Sequence, residues 1–569
     1  MKFSTLLLLL FLSLGSYGQS SSTLPDDVVK SIDKRIEQGL NTSIVVGVLD
    51  KDGSHYYNFG TKTNKGTAVN EHTIYEIGSI SKVFTAILLA QQASDGKLKV
   101  DDPIKSYLPS QVKVPTRGTT EITFGHLSDH TSALPRMPSN MTPINPANPY
   151  ADYTVDQMYS FLSGYELTRD VGSGYEYSNL AQGLLGNILS LKAGVPYETL
   201  LTKTIAAPLG MKETKITLDE KMKKNLAIGH DAGVEVANWD LPTLAGAGAI
   251  RSSSHDMLKF LATNLNVIKN SLQPAMSKTH QVRHDKAGSM RVGLGWHIAK
   301  GKEGDVIWHN GGTGGYRAFA GFVKETGVGV VVLTNSTESV DDIGFHLLNP
   351  EAALRQIKPS VAVEIKKSID SNGIETAKTL FYDLKKNKST EFDFSEDIMN
   401  KLGYSYLEKD NKVAVAIFKL NVESNPTSSN VYDSYAEALL KNGQKDLAIE
   451  NYKKSVELNP GNTTGMQALE KLGVKMQTET VEVPETTLET YVGTYQLAPS
   501  FSIVVTRDGK QLFGQATGQS KFELFAKNDK EFFLKVVNAQ VIFTVSNTAT
   551  VESLSLLQNG QHMVGKKIN

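Results

Sequence analysis

The hydrophobic pattern of this chain changes character twice, and this feature limits the possible fold more than any other. Residues from about 23 to 350 alternate helix-like and strand-like patterns, residues from about 393 to 474 are helical, and residues 491–568 alternate apolar and polar positions. These patterns do not fit one hydrophobic core, and 569 residues exceed what one core usually supports. We therefore predict roughly three or four structural units.

The first unit is assigned to residues 24–355 and is predicted to be α+β, because strands at both of its ends enclose helical segments. We expect a strand over residues 43–49 and a buried helix over residues 82–92. A hairpin is expected from residues 318–323 and 327–334.

The second unit, residues 356–476, contains two helix pairs that each end at a proline. Pro426 and Pro460 are 460 − 426 = 34 residues apart, which is the period of tetratricopeptide repeats. Two repeats are fewer than the three usually needed for stability, so we expect them to dock on a neighbour or to include a helix at residues 374–384. A protein partner for this segment and a plain spacer role are equally good interpretations.

The third unit begins after a polar linker, predicted over residues 477–487. The unit is assigned to residues 488–569. Residues 491–568 show period-two alternation with turns at Asp508-Gly509 and Asn559-Gly560, which is typical of a small antiparallel β domain.

The N-terminus has the pattern of a signal peptide, assigned to residues 1–18. Lys2 precedes an apolar run over residues 5–15 that is too short to span a bilayer, and small residues stand at the cleavage positions before Gln19. The chain has no cysteine, which excludes disulfides and thiolate catalysis. We expect a bacterial periplasmic or secreted protein with no membrane span after cleavage.

The remaining composition narrows the function further. The net charge is −1, so no positive field favours nucleic acid. Dinucleotide, phosphate-loop and H-E-x-x-H motifs are absent, so the sequence implies no cofactor and no metal. His126 and His130 are interpreted as packing or hydrogen-bonding locally.

The strongest chemical signal is Ser79-Ile80-Ser81-Lys82 at the start of an apolar helix. Residues three apart lie on one helix face, and the free N–H groups of a helix N-terminus favour developing negative charge. A lysine whose pKa is lowered by burial can accept the proton of a serine hydroxyl. Ser79 is therefore the candidate nucleophile and Lys82 its partner.

Two further motifs support this interpretation. Tyr177 and Asn179 are two apart in an extended segment, so both side chains can point into one cleft. Residues 309–315 read His-Asn-Gly-Gly-Thr-Gly-Gly at the edge of a predicted strand, where glycine permits close approach of a ligand.

Together these motifs resemble those of the serine β-lactamase and penicillin-binding protein superfamily, most closely its class C β-lactamase and esterase-like branch. Residues 122–135 also look like a characteristic segment of that group and depart from it at Ser128 and Ala133. The resemblance covers about residues 25–350 and implies an antiparallel sheet flanked by helices. The C-terminal β domain resembles the lipocalin-like domains appended to many such hydrolases.

The resemblance also implies residue roles. Ser79 is the nucleophile, Lys82 handles its proton, Tyr177 is the general base, and Asn179 orients Lys82 or the substrate. The backbone N–H groups of Ser79 and Gly312 would form the oxyanion hole.

The third motif departs from the family, because His309-Asn310-Gly311 stands where Lys-Thr-Gly is usual. That lysine supplies a fixed cation, whereas a histidine is mostly neutral above about pH 7. We expect weaker recognition of carboxylates and activity that leans alkaline. Arg317 could replace the cation, although an ion pair is the commoner role for such a residue.

Two functions follow from this sequence. The first is an exported serine hydrolase that forms an acyl-enzyme on Ser79 with a β-lactam, a D-amino-acid peptide or a small ester. The alternative is a low-activity scaffold whose repeats and β domain bind a peptide or cell-wall partner.

Overall fold

The computed structural model describes residues 23–568 except residues 65, 232, 286–290, 460, 475–480, 499–500, 518–520, 535–538, 547–549 and 559–560. The predicted signal peptide, Pro460 and the Asn559-Gly560 turn lie outside the described residues. Within those that are described, no helix has the length and apolar character needed to cross a membrane.

The first unit is built on a large antiparallel sheet. Its strands are β1 (Ser43–Asp50), β2 (Gly53–Gly60), β3 (Tyr75–Glu76), β4 (His230–Asp231), β5 (Val234–Glu235), β6 (Arg251–Ser252), β7 (Arg291–Val292), β8 (His297–Lys300), β9 (Asp305–Gly312), β10 (Arg317–Val323) and β11 (Val328–Thr334). Seven of them form the sheet in the order β2-β1-β11-β10-β9-β8-β7, and β3-β6 and β4-β5 form two small ribbons. The expected strand at residues 43–49 and the late hairpin are confirmed.

Helices fill the chain around and between these strands. They are α1 (Asp26–Glu37), α2 (Ser81–Ser94), α3 (Phe124–Ser128), α4 (Val155–Gly164), α5 (Asn179–Ala193), α6 (Tyr197–Leu201), α7 (Glu220–Asn225), α8 (Ala245–Gly248), α9 (Ser254–Asn264), α10 (Gln273–Thr279) and α11 (Asp341–Leu348). Short 3₁₀ turns occupy Gly78–Ile80 and Ile104–Tyr107.

The sheet is covered on both faces, which explains the apolar runs of its central strands. Helices α1 and α11 pack on one face around Phe319 and Val332. Helices α2 and α9 pack on the other face. There Gly47, which has no side chain, lets Leu258 come close, since a Cβ on Gly47 would lie 3.0 Å from the Leu258 side chain. Helix α2 is buried almost all round, as an apolar central helix should be.

The second unit is entirely helical among the described residues. Its helices are α12 (Val361–Asn372), α13 (Ile374–Asn387), α14 (Glu396–Leu407), α15 (Asn411–Ser424), α16 (Ser429–Lys441), α17 (Lys445–Leu458) and α18 (Thr463–Lys471). The expected extra helix at residues 374–384 is confirmed by α13. Helices α15 and α17 begin 445 − 411 = 34 residues apart, and Gly403 lies against the ring of Phe418. Membership in the tetratricopeptide family stays a prediction.

The third unit is a closed barrel of eight antiparallel strands. It comprises α19 (Glu485–Tyr491), β12 (Gly493–Ala498), β13 (Phe501–Asp508), β14 (Gln511–Ala516), β15 (Phe522–Ala526), β16 (Glu531–Phe533), β17 (Ala539–Val545), β18 (Val551–Gln558) and β19 (Gln561–Lys567). The β domain is thereby confirmed. The second half of the predicted linker packs with this unit, because Val483 is buried in its core beside Leu488 of the predicted β domain.

Candidate active site

Ser79 stands in the 3₁₀ turn between β3 and α2, and this turn lies against the end of β9. The turn is fixed from behind, since β3 pairs with β6 and Ile77 N–H donates to the Ile250 carbonyl at 3.1 Å. Gly78 has φ +48°, and a Cβ there would lie 2.7 Å from Gly312 N. Glycine at this position therefore allows the close approach of the two segments.

Lys82, one turn further along, is completely buried. Its Nζ lies 2.9 Å from Ser79 Oγ and donates to the Ala247 carbonyl at 2.8 Å. Burial, with a smaller contribution from Arg136, lowers the pKa of Lys82 well below its usual value. A neutral amine that already donates to Ala247 retains a lone pair for the proton of Ser79.

Tyr177 reaches the same point from the extended segment before α5. Lys82 Nζ lies 4.7 Å from the centroid of its ring, and the Arg136 guanidinium lies 5.0 Å from it. Burial raises the pKa of Tyr177 to about 12, against the opposing effects of a hydrogen bond with Ser79 and of Arg136. The phenol is therefore protonated at neutral pH.

Asn179 begins α5, and its side-chain amide donates to Met137 Sδ at 3.4 Å. The two hydrogen bonds of Lys82 go to Ser79 and Ala247. The structure thus brings Asn179 to Met137 rather than onto Lys82.

His309 lies in β9, fully buried beside Tyr177, with ring centroids 6.3 Å apart. Its Nδ1–H donates to the Asn310 carbonyl at 2.5 Å, which leaves the lone pair on Nε2. Burial first, and then His297 and Lys82, lower the pKa of His309 well below its usual value. His309 is therefore neutral and does not replace the missing lysine cation.

Gly311 and Gly312 bring the end of β9 against Ser79. A Cβ on Gly311 would lie 1.9 Å from the Ile77 carbonyl, which no side chain could tolerate. Thr313 N–H donates to the Tyr316 carbonyl, so Thr313 and Tyr316 form a hydrogen-bonded pair of the β9–β10 ladder. Hydrogen-bonded and non-hydrogen-bonded pairs alternate along an antiparallel ladder, so the next pair, Gly312 and Arg317, is a non-hydrogen-bonded one. The N–H of Gly312 consequently points away from β10 and is free for a ligand.

Three residues that we did not predict as site residues also surround Tyr177. His130 stacks on its ring at 4.5 Å, His297 stacks on His309 at 4.7 Å, and Arg136 stands at the exposed side. Burial lowers the pKa of His297 to about 4 and that of His130 well below its usual value. His130 and Arg136 lie in or beside the segment 122–135, whose resemblance to the family could have identified them as site residues. No sequence motif marks His297.

Other candidates are used locally. Arg317 donates to the carbonyls of Thr313 and Tyr316 and so holds the β9–β10 turn. His126 and Thr123 form two hydrogen bonds at the start of α3, in which Thr123 N–H donates to His126 Nδ1 and His126 N–H donates to Thr123 Oγ1. Among the described residues, the group of side chains with metal-binding chemistry is His72, Glu213 and His255, away from this cluster.

Comparison with known proteins agrees with this geometry. The Beta-lactamase family model matches residues 32–349, and a model described as a domain of unknown function, DUF3471, matches residues 477–567. The D-alanyl-D-alanine-carboxypeptidase/endopeptidase AmpH of Escherichia coli K12 is 30% identical over 312 residues, which is 52% of this chain and 80% of that protein.

Two further matches extend over nearly the whole length of the related protein. A beta-lactamase of Pseudomonas fluorescens is 28% identical over 349 residues, covering 54% of this chain and 94% of that protein. The solved structure of a beta-lactamase/D-alanine carboxypeptidase from Yersinia pestis, complexed with citrate, is 27% identical with a TM-score of 0.50, covering 55% of this chain and 93% of that one.

Proposed function

The chain belongs to the Beta-lactamase family and is a serine hydrolase of that family, and on this premise we propose that it cleaves an amide or ester through an acyl-enzyme on Ser79. The observation that carries the proposal is Lys82, whose buried amine lies 2.9 Å from Ser79 Oγ with a strongly lowered pKa. A buried neutral amine at this distance is the arrangement that activates a serine hydroxyl.

In the acylation step, Lys82 takes the proton of Ser79 as Oγ bonds to the substrate carbonyl carbon. The bond between that carbon and the leaving nitrogen or oxygen then breaks. Tyr177 protonates the leaving group and recovers a proton from Lys82. Water next attacks the ester and gives a proton to Lys82, which returns it to Ser79 Oγ.

This assignment gives Lys82 the base role that the sequence interpretation gave to Tyr177. The directions of the two pKa shifts favour the exchange, because burial leaves Lys82 without a proton and Tyr177 with one. A tyrosine with a pKa of about 12 is a poor base near neutrality and an available proton donor.

The oxyanion hole would be formed by the backbone N–H groups of Ser79 and Gly312. The free direction of the Gly312 N–H and its closeness to the Gly78 turn support this role. Removing one such donor typically costs about 10²–10³-fold in kcat, so the hole is a major part of the proposed catalysis.

For the substrate, we favour a D-amino-acid peptide whose carboxylate is met by Arg136. The neutral His309 offers no cation, while Arg136 is exposed at the rim and 5.0 Å from Tyr177. The names of AmpH and of the Yersinia pestis protein support this class for the present chain as well. β-Lactams and small esters are the other two candidates.

The barrel extends the proposed cleft. A cavity of about 690 Å³ lies between it and the first unit, with Arg136, Tyr165 and Glu176 on one wall and Lys521 and Phe522 on the other. We infer that the barrel contacts the part of a peptide substrate that lies beyond the scissile bond.

The remaining assignments are proposals of the same kind. We propose an exported protein with a signal peptide over residues 1–18 and domains over residues 24–355, 356–476 and 488–569. The helical unit would serve as a tetratricopeptide-like partner site, and its 34-residue repeat of helix pairs supports that interpretation.

Covalent labelling tests the mechanism. A fluorophosphonate or penicillin probe should label the wild type and not Ser79→Ala. Ser81→Ala is the matched control, since the Ser81 hydroxyl accepts from Ile250 N–H and should not affect labelling. If no acylating probe labels Ser79, the low-activity scaffold becomes the better interpretation.

Relative rates test the substrate class. We expect a peptide that ends in D-alanyl-D-alanine, with its carboxylate free, to be hydrolysed faster than a chromogenic cephalosporin or a p-nitrophenyl ester, each compared by kcat/KM. A rate on the ester that exceeds the other two would assign the protein to the esterases instead.

A further inference from the structure

Three side chains with metal-binding chemistry meet on the first unit, away from Ser79. His72 precedes β3, Glu213 lies in the loop before α7, and His255 is in the first turn of α9. One ligand atom from each lies within 4.8 Å of the other two. No single segment contributes two of them, so the fold itself assembles the group.

The distances are close to those of a coordination sphere. His72 Nδ1 lies 3.1 Å from both carboxylate oxygens of Glu213, and His255 Nδ1 lies 3.9 Å from Glu213 Oε2. Bonds of about 2.0–2.2 Å in a tetrahedral Zn²⁺ site put ligand atoms about 3.3–3.6 Å apart. The His72–Glu213 and His255–Glu213 distances lie close to this range, and all three ligand atoms lie within 4.8 Å of one another.

His255 offers a further indication. Its Nδ1 is buried and has no hydrogen-bond partner among the described residues. A buried polar atom without a partner is rare and calls for a ligand or water. This lone nitrogen faces the carboxylates of Glu213 and Asp256, the second at 3.5 Å, so a cation between them would satisfy it.

Neighbouring groups hold the ligands in position. Ser253 Oγ–H donates to Glu213 Oε2 at 2.8 Å, and Glu71 Oε1 lies 3.7 Å from His72 Nε2. The Ser253 hydrogen bond orients the Glu213 carboxylate, whereas Glu71 at 3.7 Å adds negative charge beside His72 without a hydrogen bond. Lys259, the nearby cation, is engaged by Asp256 and by the Gly210 carbonyl.

We propose that His72, Glu213 and His255 bind one Zn²⁺ ion, with an open fourth position for water. Two imidazoles and a carboxylate are a set that Zn²⁺ prefers. The side chain of His72 is 42% exposed and that of His255 33%, so an ion can enter from solvent.

The site has a structural role. His72 lies just before β3 and His255 just after β6, and these two strands pair with each other. Strand β3 leads directly into the turn that carries Ser79. Zinc would therefore fasten the ribbon that supports the nucleophile without touching the substrate.

Calorimetric titration of the full chain with ZnCl₂, after treatment with EDTA, tests the proposal. We expect one equivalent of Zn²⁺ to bind and to raise the melting temperature, and Mg²⁺ to do neither because it disfavours nitrogen ligands. His72→Ala and His255→Ala should each weaken Zn²⁺ binding by more than about 10-fold.

His55→Ala is the matched control, since His55 pairs with Asp50 at 3.2 Å and has no third ligand among the residues that the structure describes. This variant should bind Zn²⁺ like the wild type. Ser79→Ala should do the same, which separates this test from that of the hydrolase. Absence of stoichiometric zinc binding, or wild-type affinity in both His72→Ala and His255→Ala, overturns the proposal. His72 is half-exposed, so its variant is expected to fold, and the melting curve without zinc verifies this.

Discussion

Two groups of histidines in the first unit have opposite surroundings. His130, His297 and His309 are buried around Tyr177, and their pKa values lie below the usual range because burial disfavours the imidazolium. His72 and His255 are half-exposed and share the Glu213 carboxylate.

The difference shows that a neighbouring carboxylate and exposure to solvent, more than the presence of histidine itself, decide whether such a group suits a neutral base or a metal ion. Neutral rings around Lys82 supply bulk and exclude water, which keeps the lysine free of its proton. The histidines around Glu213 lie beside a negative charge and are partly exposed to solvent, which favours the binding of a cation. One group favours a neutral base and the other a metal ion.

The largest expected effect comes from placing a permanent charge in the buried group. Lys82→Arg keeps a cation that cannot lose its proton, so Ser79 loses its base. We expect kcat to fall by about 10²–10⁴-fold, the usual contribution of general-base catalysis, in an assay with saturating substrate.

Lys192→Arg is the control for that change, because Lys192 is exposed on α5 and should tolerate the exchange. Activity of Lys82→Arg near the wild-type level would show that Tyr177, and not Lys82, is the base.

The close approach of β9 to the nucleophile can be tested with two neighbouring glycines. Gly311→Ala puts a Cβ 1.9 Å from the backbone oxygen of Ile77, whereas Gly312→Ala meets only the flexible end of Arg317 at 3.0 Å. We expect Gly311→Ala to destabilise the protein by about 3 kcal/mol. Gly312→Ala should cost less than about 1 kcal/mol by thermal unfolding. Equal effects of the two would argue against this packing.

Much of the fold was accessible from the sequence because its signals are local. The apolar runs of β1 and β10, the apolar helix α2 and the change to helices after residue 356 each follow from neighbouring residues. Ser79 and Lys82 were accessible for the same reason, since three residues on one helix determine their separation.

The rest depends on contacts between distant segments. Glu213 lies 213 − 72 = 141 residues after His72, so no motif connects the proposed zinc ligands. The neutral state of His309 follows first from its burial and then from the nearby His297 and Lys82, and the sequence alone leaves open whether that ring is charged. The closure of the final β domain into a barrel likewise requires β12 to pair with β19.

A smaller effect should appear in the pH dependence of stability. The pKa of His297 is about 4 in the folded protein and about 6.5 when unfolded, so between these values only the unfolded chain takes up the proton. Stability is therefore full above about pH 6.5 and is lost as the pH falls towards 4. We expect His297→Gln to remove about 2 kcal/mol of the loss between pH 8 and pH 5, measured by urea unfolding.

His255→Gln, studied without zinc, is the comparison for that variant, because the half-exposed His255 should contribute a smaller slope. If His297→Gln and the wild type lose stability in parallel on acidification, His297 is not the neutral buried ring that its surroundings indicate.

The smallest expected effect concerns Arg136, an exposed cation beside the buried histidines. Arg136 stands 5.0 Å from the Tyr177 ring, at the rim of the cavity shared with the barrel. Arg136→Ala should raise KM for a carboxylate-bearing substrate, such as a chromogenic cephalosporin, by about 10-fold, which is about 1.4 kcal/mol of binding. A neutral p-nitrophenyl ester should keep its KM. A rise in KM for both substrates would mean that Arg136 supports Tyr177 rather than binding an anion. No rise for either substrate would mean that another residue recognises the carboxylate, and Lys521 on the barrel wall would be the next residue to test.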